Sequence, residues 1–135
     1  MDPMMRSEAN LDPQRHAADD SLRFNGPDLA AVLAACIAIL TLGAVQLWVE
    51  LDEAGDAQER MQDIGNAWMP HAEHIGPYSG KETVMAVSWL VSWGLLFLGF
   101  RHRHLDPRPW FGLALVLLVL GVLGVWPPVW HALGA

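Results

Sequence analysis

Three long stretches without a charged residue constrain this chain more than any other feature. They run from Leu29 to Val49, from Thr83 to Phe100 and from Trp110 to Trp126. An α-helix rises about 1.5 Å per residue, so about 20 residues cross the ~30 Å hydrocarbon core of a bilayer. The stretches are apolar all round, with no polar face for water, and they therefore predict three transmembrane helices rather than a soluble bundle.

The first stretch has the strongest membrane signal. Ten of its 21 residues are Leu, Ile or Val, and its main polar residues are Thr41 and Gln46. Each of these apolar side chains favours insertion by about 0.3–0.6 kcal/mol, so ten of them outweigh a few polar groups. We expect an all-α integral membrane protein with three transmembrane helices, at 29–49, 83–100 and 110–126. Together with the acidic loop 50–82, these form a membrane domain over 29–135, and residues 1–28 are predicted to be a flexible polar segment.

The distribution of basic residues predicts how the chain is oriented. Residues 1–28 contain three Arg and residues 101–109 contain three more, whereas the loop 50–82 contains only Arg60 and Lys81. Because Lys and Arg accumulate in cytoplasmic loops, the N-terminus and the second loop are expected in the cytoplasm. The acidic loop and the C-terminus are then extracytoplasmic, in a multi-pass protein of the inner or plasma membrane.

Charge and motifs exclude several functions. The chain contains 15 Asp and Glu against 8 Lys and Arg, for a net charge of −7, and it lacks the basic surface that nucleic-acid binding requires. The segment from Gly76 to Glu82 misses a phosphate-binding Walker A loop, because it is one residue short and Glu82 follows the lysine. We therefore expect neither nucleic acid nor nucleotide as a partner.

The three apolar stretches contain no Asp, Glu, Lys, Arg or His. Proton relays and ion paths are marked by ionisable residues within the membrane, so a pump or a proton-coupled transporter is disfavoured. A haem held within the bilayer by two histidines of this chain is disfavoured for the same reason. No pattern in the sequence names a reaction, no catalytic residue is assigned, and no cofactor is firmly predicted.

The loop 50–82 concentrates the chemistry of the chain, with eight acidic residues and two basic ones. Apolar residues recur there at helical spacing, at Leu51, Ala54, Ala57, Met61, Ile64 and Trp68. The first membrane helix is expected either to continue outward or to break near Gly55 into an amphipathic helix. Ser79 and Glu82 have the spacing of a capping box, which predicts a helix start at the second apolar stretch.

The same loop contains a candidate metal site. His71 and His74 are three residues apart, with Met69 and Glu73 close in sequence. Imidazole and thioether ligands favour copper or another transition metal over calcium. Two histidines are fewer ligands than a structural zinc site needs. The alternatives are a solvated loop whose histidines bond near the headgroups and a pH-sensitive contact.

The second apolar stretch contains a candidate interaction face. Ser88 and Ser92 are small residues four apart, and Trp89 and Trp93 form a bulky ridge beside them. Small residues allow helices to approach closely, and serine can hydrogen-bond across a helix interface. The ridge lies too deep for aromatic anchoring at the headgroups, which leaves packing against lipid or docking on another subunit or a planar cofactor.

These features predict a non-catalytic accessory or assembly subunit of a larger membrane complex, such as a respiratory or photosynthetic one. The partners expected are the lipid bilayer and other membrane subunits or a second copy of the chain. The alternative is an extracytoplasmic protein that handles a copper-like metal through Met69, His71 and His74. A third, weaker option is an enzyme subunit whose outer loop shapes an active site borne by another chain.

Overall fold

A computed structural model of the protein describes residues 26–69, 71 and 74–133. The described residues form five helices and no strand. The helices are α1 (Gly26–Leu51), α2 (Asp56–Asn66), α3 (Tyr78–Phe100), α4 (Pro107–Val125) and α5 (Pro127–Leu133). The expected all-helical class is confirmed, and α1, α3 and α4 are long and apolar enough to span a membrane.

Each long helix extends beyond the charge-free stretch that predicted it. Asp28 and Glu50 lie within α1, and Lys81 lies within the first turn of α3. Of the predicted flexible segment 1–28, only the last three residues are described, and they are helical. Counting uncharged residues therefore locates the three helices but places all three starts and the end of α1 too far inward, while the ends of α3 and α4 agree with the prediction to within one residue.

The capping box predicted at Ser79 and Glu82 is absent, because α3 starts earlier. The residue before the helix is Pro77, which makes no side-chain cap. Ser79 already lies inside the first turn, where its Oγ donates to the carbonyl oxygen of Gly76 at 3.1 Å. Gly76 adopts a left-handed φ of 71°, a conformation that glycine enters without a steric penalty.

A break at Gly55 separates α1 from α2. Gly55 has a left-handed φ of 78°, and the carboxylate of Asp52 accepts a hydrogen bond from the Ala57 backbone N–H at 2.6 Å. That bond satisfies one of the amide groups that a helix start leaves unpaired. The apolar side of α2 then packs on α3 through Ala57, Met61 and Gly65, which are buried.

The bundle is arranged around α1, which packs against both α3 and α4. We call the side where α1 starts and α3 ends the turn end, and the side where α1 ends and α3 starts the loop end. Near the turn end, a buried apolar cluster joins α1 to α4 through Leu29, Leu33, Cys36 and Ala114. At the connecting turn, the rings of Phe100 and Trp110 meet edge to face with centroids 5.1 Å apart.

Glycines bring α1 and α4 into backbone contact. A methyl group added to Gly121 would lie 2.7 Å from the backbone nitrogen of Leu40, and one on Gly124 would lie 2.8 Å from the carbonyl carbon of Gly43. Such small residues let helices approach closely where lipid supplies no hydrophobic force to drive association. The crossing of α1 and α4 therefore depends on glycine at these three positions.

Candidate functional site

A chain of polar side chains joins α1 to α3 at the loop end. Lys81 is only 4% exposed, and its Nζ donates to Oε1 of Gln46 at 2.8 Å. The amide nitrogen of Gln46 donates in turn to Oε1 of Glu50, also at 2.8 Å. We call Lys81, Gln46 and Glu50 the polar junction.

Neighbouring groups enclose the lysine of the polar junction. The ring of Tyr78 lies 5.4 Å from the Lys81 ammonium, within the range of a cation–π contact. α2 covers the same turn of α3 because Gly80 has no side chain, and a methyl group there would overlap the carbonyl of Met61. Lysine is rarely so buried unless its charge is paired, and here Gln46 and Glu50 supply the compensation.

The sequence alone does not predict the polar junction. In the sequence, Gln46 is a polar residue within an apolar span, and Lys81 is a charge that indicates orientation. Two signals were available: Gln46 and Glu50 are four residues apart and share one face of a helix, and Lys81 is the sole lysine of the chain. Neither signal shows that the two helices pair at this level, which is a property of the tertiary structure.

The histidines of the candidate metal site are neighbours at the surface of the loop. The ring centroids of His71 and His74 are 6.4 Å apart, and the planes are nearly perpendicular. His71 adopts a left-handed φ of 66°, and its carbonyl oxygen accepts from the His74 backbone N–H at 3.1 Å. Both histidines are exposed, Met69 is partly buried, and Glu73 lies outside the described residues.

This arrangement of rings is open rather than preformed for a metal. An ion about 2.0–2.1 Å from one nitrogen of each ring, at a tetrahedral angle, would bring the ring centroids to about 5 Å. The observed 6.4 Å is longer, so one side chain would have to rotate, which exposed histidines can do. Within the part of the chain that the structure describes, no three His, Cys, Asp or Glu side chains gather as a metal site.

The candidate interaction face of α3 divides into two parts. The hydroxyl groups of Ser88 and Thr41 lie 2.9 Å apart, so Ser88 faces α1 inside the chain. Trp89 and Trp93 point away from the bundle, 45% and 42% exposed, and stack with centroids 6.4 Å apart and planes 17° from parallel. The Ser92 hydroxyl bonds back to the Trp89 carbonyl at 3.1 Å.

The aromatic row continues toward the turn end. Phe97 follows Trp93 with a centroid separation of 6.1 Å. We call Trp89, Trp93 and Phe97 the aromatic ridge. It lies along the side of α3 that no other described helix covers.

Comparison with known proteins found no match to any family, curated protein or solved structure.

Proposed function

We propose that the protein is a non-catalytic accessory or assembly subunit of a larger membrane complex. The observation that supports this most is the uneven burial of the three long helices. In the most apolar 18-residue window of each helix, 39% of the residues of α1 are buried within the chain, against 11% for α4 and 0% for α3. α3 therefore offers its whole outer side to lipid or to a partner.

The aromatic ridge is the proposed docking element of α3. Stacked tryptophans present a large, rigid surface, and rigid aromatic groups lose little conformational entropy on binding. A helix face that contacts only lipid chains does not require aromatic residues, since leucines would serve equally well. Three aromatic side chains in a row along one face therefore favour a protein partner. Ser92 leaves a shallow gap beside the ridge into which a helix can approach.

Native-gel electrophoresis of membranes in mild detergent tests the proposal. We expect the wild-type chain to migrate within a larger complex, and the Trp89→Leu/Trp93→Leu variant to migrate as a smaller species. Trp48→Leu/Trp126→Leu is the matched control, because those tryptophans are also exposed, 46% and 55%, but lie on α1 and just after α4. A stable lone monomer of the wild-type chain in mild detergent would count against an accessory subunit.

The proposed topology places the turn end in the cytoplasm and the loop end outside, in the inner or plasma membrane. It rests on six Arg at the turn end or before it, against Arg60 and Lys81 in the loop. After Cys36 is replaced by Ala, an impermeant maleimide should label Gln58→Cys in intact cells. His104→Cys should be labelled only once the membrane is opened, and the reverse pattern would invert the topology.

A second candidate function is the handling of a copper-like metal on the loop. The observation in its favour is that the exposed imidazoles of His71 and His74 are neighbours, and Met69 is two residues before His71 in the sequence. Metal analysis of the purified chain should then find an ion that His71→Ala and His74→Ala each release. His131→Ala is the control, since that histidine lies beyond the last long helix. Absence of metal from the wild-type chain, purified from cells grown with added copper, would reject this function.

A further inference from the structure

We propose that the protein binds a phosphate group in a cavity at the turn end. The cavity has a volume of about 440 Å³, within the range of about 300–1,000 Å³ that is common for small-molecule sites. It is lined by Gly26, Pro27, Arg101, His102, Arg103 and His104. Four consecutive residues of the turn between α3 and α4 therefore line the cavity beside the start of α1.

The cavity has a rigid floor. Gly26 is buried against the end of α3, where a methyl group would overlap the carbonyl of Phe100 and lie 3.0 Å from that of Arg103. The turn itself is held by hydrogen bonds from the backbone N–H of Arg101 to Phe97 and of Arg103 to Phe100, both at 2.9 Å. The arginine side chains therefore extend from a fixed backbone. This lowers the conformational entropy that the turn loses when the side chains bind a ligand.

The lining favours an anion. Among the described residues, neither guanidinium group has a carboxylate partner, and all four side chains of the turn are exposed. Among the described residues, the carboxylates at this end are those of Asp28 and Asp106: Asp28 is exposed on α1, and Asp106 caps α4 by accepting from the Arg108 N–H at 3.2 Å. The two arginines that line the cavity therefore have no described carboxylate bonded to them, and the Asp106 carboxylate is already engaged as a helix cap.

Phosphate matches this set of donors better than a carboxylate does. Each arginine presents a planar fork that binds two phosphate oxygens at once, and even a neutral imidazole contributes one N–H donor. Two forks and two imidazoles can approach the tetrahedrally arranged oxygens of one phosphate group from several sides. A carboxylate holds its two oxygens in one plane and would leave some of these donors unused.

The position of the cavity should place it level with the phosphate groups of membrane lipids. α3 ends at Phe100 and α4 starts at Pro107, so the turn lies where apolar helices meet the headgroup layer. Basic pockets between membrane helices are suited to anionic headgroups. The phosphodiester of an anionic lipid and free phosphate share the chemistry that the cavity recognises, and the experiment separates the two sources.

The test uses the full chain purified in mild detergent and native mass spectrometry. Phosphatidylglycerol is added, or diacylglycerol with the same acyl chains but no phosphate. We expect a phosphatidylglycerol adduct and no diacylglycerol adduct. Arg101→Gln and Arg103→Gln should each weaken the adduct about tenfold, the loss expected for one charge-assisted hydrogen-bonding group. Arg108→Gln is the charge-matched control, because Arg108 belongs to the same segment but does not line the cavity.

Competition between the lipid and inorganic phosphate identifies the source of the bound phosphate group. If inorganic phosphate fails to displace the lipid, the ligand is a lipid headgroup. If phosphate displaces it while chloride at the same ionic strength does not, the cavity takes soluble phosphate. Equal weakening in Arg108→Gln, equal retention of the two lipids, or an unchanged adduct in Arg101→Gln and Arg103→Gln would each overturn the proposal.

Discussion

α1 meets its two neighbours by opposite means. Against α4 it uses Gly43, which lies directly on the backbone of Gly121 and Gly124. Against α3 it uses side-chain hydrogen bonds: Ser88 donates to Thr41 near the middle, and Lys81 donates to Gln46 at the loop end. The contact with α4 depends on glycines, which have no side chain, and the contact with α3 depends on paired polar side chains.

The difference shows what can hold helices together in lipid. Lipid tails are as apolar as leucine, so association depends on close van der Waals packing or on hydrogen bonds rather than on the hydrophobic effect. A glycine contact tolerates no added atom, whereas a hydrogen bond can be removed at modest cost. The two sides of α1 should therefore respond very differently to substitution.

Gly121→Leu should produce the largest loss of stability. The added side chain must enter space that holds the Leu40 backbone nitrogen, 2.7 Å from the first added carbon, so α1 and α4 have to separate. Overpacking in a core costs about 1–3 kcal/mol, and a clash with backbone reaches about 3 kcal/mol or more. Unfolding by SDS titration in mixed micelles measures this loss.

The matched control for Gly121→Leu is Gly112→Leu on the same helix. Nothing lies within 4 Å of a methyl group at Gly112, so the change adds side chain without a clash. Both variants gain the same helix propensity, because leucine replaces glycine in each. Equal destabilisation of the two would show that α1 and α4 are not in contact.

Gln46→Leu should cost about 2 kcal/mol, because it leaves the buried ammonium of Lys81 without its acceptor. Adding Lys81→Met to this variant removes the stranded charge and should recover most of the loss. The double-mutant cycle, measured by the same SDS titration, should therefore give a strong coupling between the two sites. Additive losses would contradict the polar junction.

Ser88→Ala should have the smallest effect, about 0.6 kcal/mol, which is the average for hydrogen bonds between membrane helices. The Thr41 hydroxyl donates its single hydrogen to the Ile37 carbonyl at 2.9 Å, so Ser88 is the donor to Thr41. Thr41→Ser keeps the acceptor and should be nearly neutral. A loss with Ser88→Ala as large as that with Gln46→Leu would remove the distinction between the mid-helix bond and the junction.

The three long helices could be predicted from the sequence, because a helix that crosses the hydrocarbon core must be apolar along its whole length. The uncharged stretches fall short of the end of α1 and the start of α3 for a related reason: Glu50 and Lys81 are charged but helical, and each contacts Gln46. The capping box at Ser79 failed because its spacing also fits a residue inside a first turn. Local spacing cannot separate the two.

The candidate site was less accessible to sequence reasoning. The spacing predicts that Trp89 and Trp93 form a ridge, because residues four apart on a helix share a face, and the two rings stack in the structure. The sequence places Ser88 beside that ridge, but its hydroxyl lies on the side of α3 toward α1. Which of two adjacent residues faces a neighbouring helix depends on how the helices rotate against one another, and no short-range pattern records that rotation.

Because Cys36 is buried, the rate at which its thiol is labelled reports the opening of the helix bundle. It is the sole cysteine of the chain, and it is 8% exposed within the cluster that joins α1 to α4. A membrane-permeant thiol reagent should reach its sulfur much faster when these helices part. The labelling rate therefore measures how often the bundle opens without unfolding completely, on the native sequence and with no introduced label.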